Sequence, residues 1–506
     1  MERWLKPLYD AAGMRGVDRW AIEERGVASL ELMEAAGRAV AEAVAGLAPQ
    51  GPVRVVCGKG NNGGDGFVAA RLLREMGFEV EVLLLWPGEE LRGDAAVNLE
   101  RFDGGLVAGD AGERLAGSGA IVDAVFGTGF EGAPREPAAG AIAAMNACPA
   151  PVVACDIASG VDASTGEVLG LAVEADLTVS FHTAKLGQRI APGKCHTGEL
   201  RVVPIGIPPG EPGEAAGGEI TTEVLDLLPR RGPRSTKFSS GQVAIAGGSR
   251  GLTGAVRMTS LAAVRAGAGY ATVAVPADLD LVFEIAQPEV MSVACPGGDG
   301  CLVPASKKAV LRPFERAAAG VLGPGLGRDP GSFELAREVV DEIEAPLVID
   351  ADGLNAFAGK LPLLAERKAP TILTPHAGEL GRLFDRDSSE VDAHRLASAK
   401  GAARAAAAIV LLKGDDTIVT DGERVAVNAL SAPALATAGS GDVLSGMTAA
   451  LLARGLEPFA AACAAVVAHA RAGREAAKRV GLAESVIAGD VIEAIPAALL
   501  PDGPVE

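Results

Sequence analysis

Aromatic side chains are scarce in this chain, only 4% of 506 residues, and that scarcity dictates how its cores must be filled. With 49% hydrophobic residues and 66 glycines, packing falls to alanine, valine and leucine, which suits helices laid closely on a sheet. Cationic residues are short as well: 46 Lys and Arg stand against 65 Asp and Glu, a formal net charge of -19. Such a field repels a duplex and argues against general nucleic-acid binding, so an anionic ligand must be held locally, by backbone amides, a metal ion or a few placed lysines. The seven cysteines (57, 148, 155, 195, 295, 301 and 463) contain no CxxC pair, which indicates neither a zinc site nor a disulfide framework. A reducing cytosol is the simpler setting. No apolar run reaches the roughly 18 residues that span a bilayer, and the opening MERWLKPLYDAAGMRGVDRW has no apolar signal core. A soluble cytoplasmic protein without a membrane partner is expected.

What is present is a rhythm that runs twice. A chain of 506 residues exceeds the usual size of one hydrophobic core, and PPGEPGEAAGG at 208–218 is its strongest punctuation. We therefore expect a first domain at 1–210, a linker at 211–219 and a second domain at 220–506. Before the boundary, VRVVC (53–57), EVEVLLL (79–85), AIVDAVF (120–126), PVVACD (151–156) and DLTVSF (176–181) alternate with helical patterns, the signature of a parallel, doubly wound sheet. GVASLELMEAAGRAVAEAVAGL reads as an amphipathic helix laid on it. After the boundary the rhythm restarts with QVAIAGG (242–248), YATVAVP (270–276), AGVLGPGLG (319–327), PLVIDAD (346–352), PTILTPH (370–376) and AIVLLKG (408–414), with helices from about Ala255 and near Asp442 and Pro458. Two α/β domains follow.

In the first domain Gly58, Gly60 and Gly63 satisfy G-x-G-x-x-G between a strand and a helix, the geometry that lets backbone amides approach a diphosphate. A dehydrogenase is thus one hypothesis, with Glu79 or Glu81 placed where a ribose carboxylate would fall. The fingerprint does not require Asn61, Asn62 and Asp65, whose oxygens suit a hard cation or hydroxyl groups; the plainer alternative is an Asx turn capping the helix. Two more strand ends carry similar cargo, IVDAVFGTGFEGAP (121–134) and CDIASGVDASTGE (155–167). In an open parallel sheet such ends converge on one crevice, so Asp123, Asp156 and Ser159 should approach Asn62.

GNNGGDG, VDAVFGTG and DIASG together resemble the N-terminal module of NAD(P)H-hydrate epimerases, a likeness that runs over residues 10–205. That family interconverts the R and S hydrates of NADH and NADPH and binds potassium. The resemblance implies potassium on Asn62, Asp123 and Ser159. It also implies contacts to the hydrated dinucleotide from Asn61, Asn62, Gly63, Gly64 and Asp65, from Gly127, Thr128, Gly129, Phe130, Glu131, Gly132 and Ala133, and from Asp156. Asp156 becomes the candidate general acid or base. Where the family commonly has proline, this chain has Ala158.

In the second domain ALATAGSGDVLSGMTAALLARG (434–455) runs Gly439 and Gly441 into a helix, with Asp442 at its start. An N-cap is the plain reading of Asp442; a base that deprotonates a hydroxyl while nearby amides stabilise a transferring phosphoryl group is the other. The segment resembles the G-x-G-D of ribokinase-like enzymes. With GPGLG (323–327), DADGLNAF (350–357), TPHAGEL (374–380) and LLKGDDTIV (411–419) it resembles the ADP- or ATP-dependent NAD(P)H-hydrate dehydratases over about residues 220–500. The likeness implies a ribokinase-like domain in which Ala255, Gly325, His376 and Asp442 contact the hydrate. Lys413, Gly414, Asp415, Asp416, Thr417 and Gly441 would contact the adenine nucleotide, with Mg2+ accompanying ADP (or ATP) and Asp350 and Asp352 within its reach. Asp415 and Asp416 together would repel phosphates unless something offsets them.

The implied chemistry is phosphorylation of the hydrate hydroxyl with Asp442 as base, then loss of phosphate to restore NADH or NADPH; hydroxide leaves poorly, phosphate well. ADP is the expected donor and a homo-oligomer the expected assembly. A ribokinase-like small-molecule kinase with an accessory dinucleotide-binding domain is the remaining alternative, and a dehydrogenase leaves the second domain without a task.

Overall fold

In the computed structural model, which describes residues 2–107, 109, 111–210 and 214–501, each β-branched run named above forms a buried strand. Three residues of the expected linker, 211–213, lie outside the described residues, as do Met1 and 502–506. The chain divides into two units, Pro7–Gly218 and Glu219–Glu506, and the second also takes Met1–Lys6. A single cut in the sequence does not describe this division. Trp4 is buried 6.4 Å from Phe459, centroid to centroid, and its carbonyl accepts from Thr221 N at 3.0 Å.

The first unit is a seven-stranded parallel sheet in the order Gly105–Val107, Val80–Leu84, Val53–Cys57, Ala120–Ala124, Val152–Cys155, Leu177–Phe181, Glu199–Val203. Its central strands are largely apolar because helices cover both faces, as parallel sheets require. Strand order reverses between Val53–Cys57 and Ala120–Ala124, and a crevice opens there at the carboxyl ends.

The second unit carries an eleven-stranded sheet, ordered Leu5–Leu8, Gly217–Ile220, Val425–Val427, Ile418–Thr420, Ile409–Leu412, Thr371–Leu373, Leu347–Ile349, Ala319–Leu322, Gln242–Ala246, Tyr270–Pro276, Met291–Cys295. Pairing is parallel from Ile409–Leu412 through Met291–Cys295 and antiparallel from Ile409–Leu412 through Ile418–Thr420 to Val425–Val427. The helices Thr253–Arg265 and Ser440–Ala453 pack so closely that a Cβ on Gly446 would lie 2.1 Å from the Thr259 carbonyl oxygen. Both units are α/β, one a doubly wound parallel sheet, the other a mixed sheet. No described helix is long and apolar enough to cross a membrane.

Candidate active sites

In the first unit the glycine loop runs straight into the helix Asn61–Glu75, whose N-cap is Gly60 without a side-chain cap. The Asx-turn alternative therefore does not hold: Asn61 through Asp65 are the helix's first turns. Gly58 and Gly63 serve close approach, since a Cβ on Gly58 would sit 2.1 Å from the Val125 carbonyl and one on Gly63 2.0 Å from that of Gly58. Above them opens a cavity of about 980 Å3. Of the residues singled out in the sequence, Asn61, Asn62, Asp65, Gly127 through Glu131 and Asp156 line it. Gly63 and Gly64 are buried in packing, and Gly132 and Ala133 lie off the wall. Glu81 pairs with Arg54 at 2.6 Å, and neither it nor Glu79 reaches the cavity, so the ribose carboxylate of a dehydrogenase has no counterpart here.

Asp156 follows its strand with φ +67°, a left-handed conformation that a non-glycine residue keeps only when its surroundings hold it. They do so here. Its Oδ1 accepts from Phe181 N at 3.1 Å and is ion-paired with Lys185 Nζ, while its carbonyl accepts from Gln188 Nε2 at 2.7 Å. Lys185 is fully buried, and its ammonium also donates to Ser180 Oγ and the Phe181 carbonyl, each at 3.0 Å. Burial and then the charge of Asp156 push Asp18 up to about 6, against the opposing pull of Lys185. Asp65 is raised well above the ordinary carboxylate value by burial, then by Asp156, Asp18 and Asp94.

Beside the cavity, Asp123 Oδ1 accepts from Ser159 Oγ at 2.6 Å and Oδ2 from Ser159 N at 2.8 Å. Phe126 N donates to Ser159 Oγ at 2.8 Å, and Asn62 Nδ2 to the Phe126 carbonyl at 2.9 Å. Burial pushes Asp123 up to about 6 despite these hydrogen bonds. Among the described residues no group of three or more His, Cys, Asp or Glu side chains could hold a metal. The oxygens here are of another kind, one carboxylate among amide, carbonyl and hydroxyl groups, which suits a hard monovalent cation.

In the second unit the helix Ser440–Ala453 is capped by Gly439, at φ +88°, not by Asp442. Asp442 lies within its first turn, has no hydrogen-bond partner among the described residues, and is pushed up to about 7 by burial, then by Asp350, with Lys413 opposing. Lys413 Nζ bonds Asp350 Oδ1 at 3.0 Å and approaches Glu379 at 3.5 Å; burial would lower the ammonium, but these two carboxylates raise it. Ser445 Oγ holds the other Asp350 oxygen at 2.6 Å. Asp352 accepts from Gly327 N at 3.1 Å and Asn355 Nδ2 at 3.0 Å.

His376 is itself an N-cap: its Nδ1 accepts from Gly378 N at 3.0 Å and Glu379 N at 3.3 Å, its Nε2 lies 3.6 Å from Glu379 Oε1, and burial lowers its pKa. Gly325 takes φ +59°, and a Cβ there would lie 3.1 Å from that of Ala255. These two are neighbours, while His376, Lys413 and Asp442 share the charges of Asp350 and Glu379.

Lys413, Gly414, Asp415, Thr417 and Gly441 line a second cavity of about 310 Å3. Asp416 does not: its carboxylate turns inward onto buried Arg395 at 2.9 Å, so only Asp415 presents a carboxylate to the cavity and the anticipated double repulsion does not arise. Leu430, Pro433, Leu435 and Val466 supply an apolar wall that the sequence reading missed, as it missed His469. That ring is buried, its Nε2 has no partner among the described residues, and burial followed by Lys413 lowers it to about 4. A lone histidine inside the alanine-rich helix Pro458–Val480 was the available signal. For Lys185 the signal was position, just beyond the strand Leu177–Phe181. Asp18 follows no strand and gave none.

Comparison with known proteins bears on both units. Residues 243–497 match the family model described as NAD(P)H-hydrate dehydratase, and 29–187 match that of the YjeF-related protein N-terminus. The chain is 38% identical to the bifunctional NAD(P)H-hydrate repair enzyme Nnr of Moorella thermoacetica, covering 97% of this chain and 96% of that one. Its counterpart in Salinibacter ruber is also 38% identical, with 97% and 95% covered. Among solved structures, the ADP/ATP-dependent NAD(P)H-hydrate dehydratase of Bacillus subtilis, co-crystallised with ATP/Mg2+, is 27% identical with a TM-score of 0.47, covering 55% of this chain and 96% of that one.

Proposed function

The chain belongs to the family of bifunctional NAD(P)H-hydrate repair enzymes, and from that premise we propose how its two sites divide the work. It epimerises hydrated NAD(P)H and dehydrates it at the expense of ADP or ATP. The first unit, in this reading, interconverts the R and S hydrates in the 980 Å3 cavity, with Asp156 accepting and returning the proton of the C6 hydroxyl. Lys185 holds that carboxylate in place. Potassium fits the oxygens of Asn62, Asp123, Phe126 and Ser159, because the buried Asp123 carboxylate has no cationic partner among the described residues. Bound there, the ion supplies a fixed positive charge next to the substrate-binding loop Gly127–Glu131.

The second unit dehydrates the S hydrate. Asp442 takes the proton of the C6 hydroxyl, whose oxygen attacks the terminal phosphorus of the nucleotide. The amides of the helix's first turn and the Lys413 ammonium receive the growing phosphoryl charge. Phosphate then departs with the C6–O electrons as a proton leaves C5, which forms the C5–C6 double bond of NAD(P)H. ADP is the preferred donor in this scheme. The nucleotide fits on the buried His469 Nε2, a polar atom without a protein partner on the wall of the 310 Å3 cavity. Mg2+ carried with the nucleotide neutralises phosphate charge that Asp350 and Asp415 would otherwise oppose.

The observation that carries this reading is Asp442, an unpartnered carboxylate titrating at about 7 in the first turn of a helix whose cap is already glycine. Purified protein incubated with mixed R and S hydrates and ADP, then ATP, should return the absorbance of reduced nicotinamide for both epimers. A stable phosphorylated product would instead support a kinase. Omission of potassium should slow consumption of the R hydrate alone. We also include a homo-oligomer, for which Leu281, Ile285 and Met291 offer exposed apolar surface at one sheet edge; light scattering of the purified chain checks it.

A further inference from the structure

We infer that Asp18, on the helix Ala11–Glu23, is the second proton-transfer group of the epimerase site, working together with Asp156. The inference rests on the reading of the first unit as the epimerase. Met14, Asp18 and Ile22 fall at four-residue spacing along that helix and all line the cavity, so one helical stripe faces it with a carboxylate at its centre. The helix does not need this carboxylate for itself: Asp10 is the N-cap, accepting from Gly13 N at 2.7 Å. Nor does Asp18 make a hydrogen bond or ion pair among the described residues. A carboxylate half-withdrawn from water, unpartnered and turned to a cavity is poorly explained by structure alone.

Asp156 by contrast is committed. Its Oδ1 is shared between the Phe181 amide and the Lys185 ammonium, which leaves its other oxygen to take one proton. Inversion at C6 through ring opening moves two. The hydroxyl proton passes to Asp156 as the oxygen lone pair closes to C=O; the C6–N1 bond breaks, and N1 takes its electron pair and a proton from Asp18. Rotation about C5–C6 turns the other aldehyde face to N1, and the reverse transfers close the ring with Asp18 and Asp156 restored. No oxidant or further reactant is needed. Concerted transfer requires two groups of complementary state, one ionised and one protonated.

Charge around Asp18 fits that division. Asp156 and Lys185 act on it most strongly after burial, which holds it at about 6, close to where a group can both give and take a proton at neutral pH. Asp65 is the poorer candidate on position, since it is buried where Asp18 is only partly so, and burial and neighbouring carboxylates raise it well above the usual range. Asp94, Arg15, Lys59 and Glu131 are the remaining charged residues on the cavity wall, and Lys59 is already paired with Glu90 at 2.9 Å.

The test uses the full chain. Interconversion of separated R and S hydrates is followed without nucleotide, above the spontaneous rate, and dehydration of the S hydrate with ADP is followed in parallel. Asp18→Asn should lower kcat for epimerisation by about 100-fold or more, leave KM within about threefold, and leave dehydration unchanged. The limb of the wild-type pH profile near pH 6 should vanish with it, and Asp18→Glu should recover a large part of kcat with that limb displaced. Retention of kcat within about threefold in Asp18→Asn overturns the inference, as does a loss confined to KM. Should Asp18→Asn fail to fold, a folded Asp18→Glu that leaves the limb near pH 6 where the wild type has it decides against the inference equally. Absence of epimerisation in the wild type would strike at the reading of the whole unit instead.

Discussion

The two units place their chemistry at the same address, the carboxyl ends of parallel strands, but they treat charge in opposite ways. In the first, the central carboxylate Asp156 is locked to Lys185, which has no exposed surface at all. In the second, Lys413 keeps 21% of its side chain exposed while spanning Asp350 and Glu379, and Asp442 has no partner. The difference follows from the reactions. Epimerisation begins and ends with the same charges, so a permanent ion pair can orient the base. Phosphoryl transfer brings in a polyanion, and a cation that keeps part of its side chain exposed can meet it.

The largest effect should come from breaking the free carboxylate. Asp442→Asn should cost dehydration about 1000-fold in kcat while epimerisation of the same sample is unchanged. Equal loss of both would show that the two sites are not independent. Next comes the locked pair. Lys185→Met strands Asp156 in a buried position, and removing one partner of a buried ion pair typically costs about 3–5 kcal/mol. Hydrogen exchange should show that loss in the first unit alone. A Lys413→Met variant strands Asp350 and Glu379, whose side chains are 2% and 9% exposed, so it should lose nucleotide turnover and destabilise the second unit alone.

Much of this was legible beforehand because strand ends announce themselves. VRVVC, AIVDAVF and PVVACD mark the strands at whose ends Asn62, Asp123 and Asp156 lie, and a parallel sheet then brings those ends together without further information. Residues that reach a site sideways were silent. Asp18 comes from a helix ahead of the first α/β crossover, and the apolar wall at Leu430, Pro433 and Leu435 follows the antiparallel hairpin, where no strand-end rule applies. Nor could local sequence tell Asp415 from Asp416; only the buried Arg395 on another helix separates them. The strand Leu5–Leu8 was missed for the same reason, since its partner in the sheet, Gly217–Ile220, lies two hundred residues away.

A smaller, graded effect should appear with pH. Asp442 at about 7 must lose its proton to act, so kcat/KM for dehydration should climb about tenfold per unit below pH 7 and level above it. Stability runs the other way. The folded unit holds this proton more tightly than the unfolded chain, whose carboxyl titrates near ~4, so the contribution is present below that value, declines as pH rises and is gone above about 7. Asp442→Asn should remove both trends from the second unit, and a profile that persists in the variant would assign the proton elsewhere.

The smallest effect is the most discriminating for the contrast between paired and unpaired buried groups. His469 is 7% exposed, stays neutral with its pKa lowered to about 4, and is tied to Ser440 by a backbone hydrogen bond that favours the protonated ring. Since Nε2 has no partner among the described residues, that bond belongs to Nδ1, and Nε2 is left as an unused acceptor on a residue of the cavity wall. The unsatisfied Nε2 contributes nothing to the empty fold, so His469→Phe should cost the ligand-free second unit only the Ser440 hydrogen bond, about 1 kcal/mol and well short of the loss in Lys185→Met. What it removes is a hydrogen bond to a donor on the nucleotide, worth about 1 kcal/mol, so KM for ADP should rise about fivefold with kcat and epimerisation unaffected. Lys185, equally buried but fully partnered, should give the reverse, stability lost in the empty protein. If His469→Phe instead destabilises the ligand-free unit as Lys185→Met does the first, the histidine is a structural group and the nucleotide must be anchored by Lys413 and the helix amides alone.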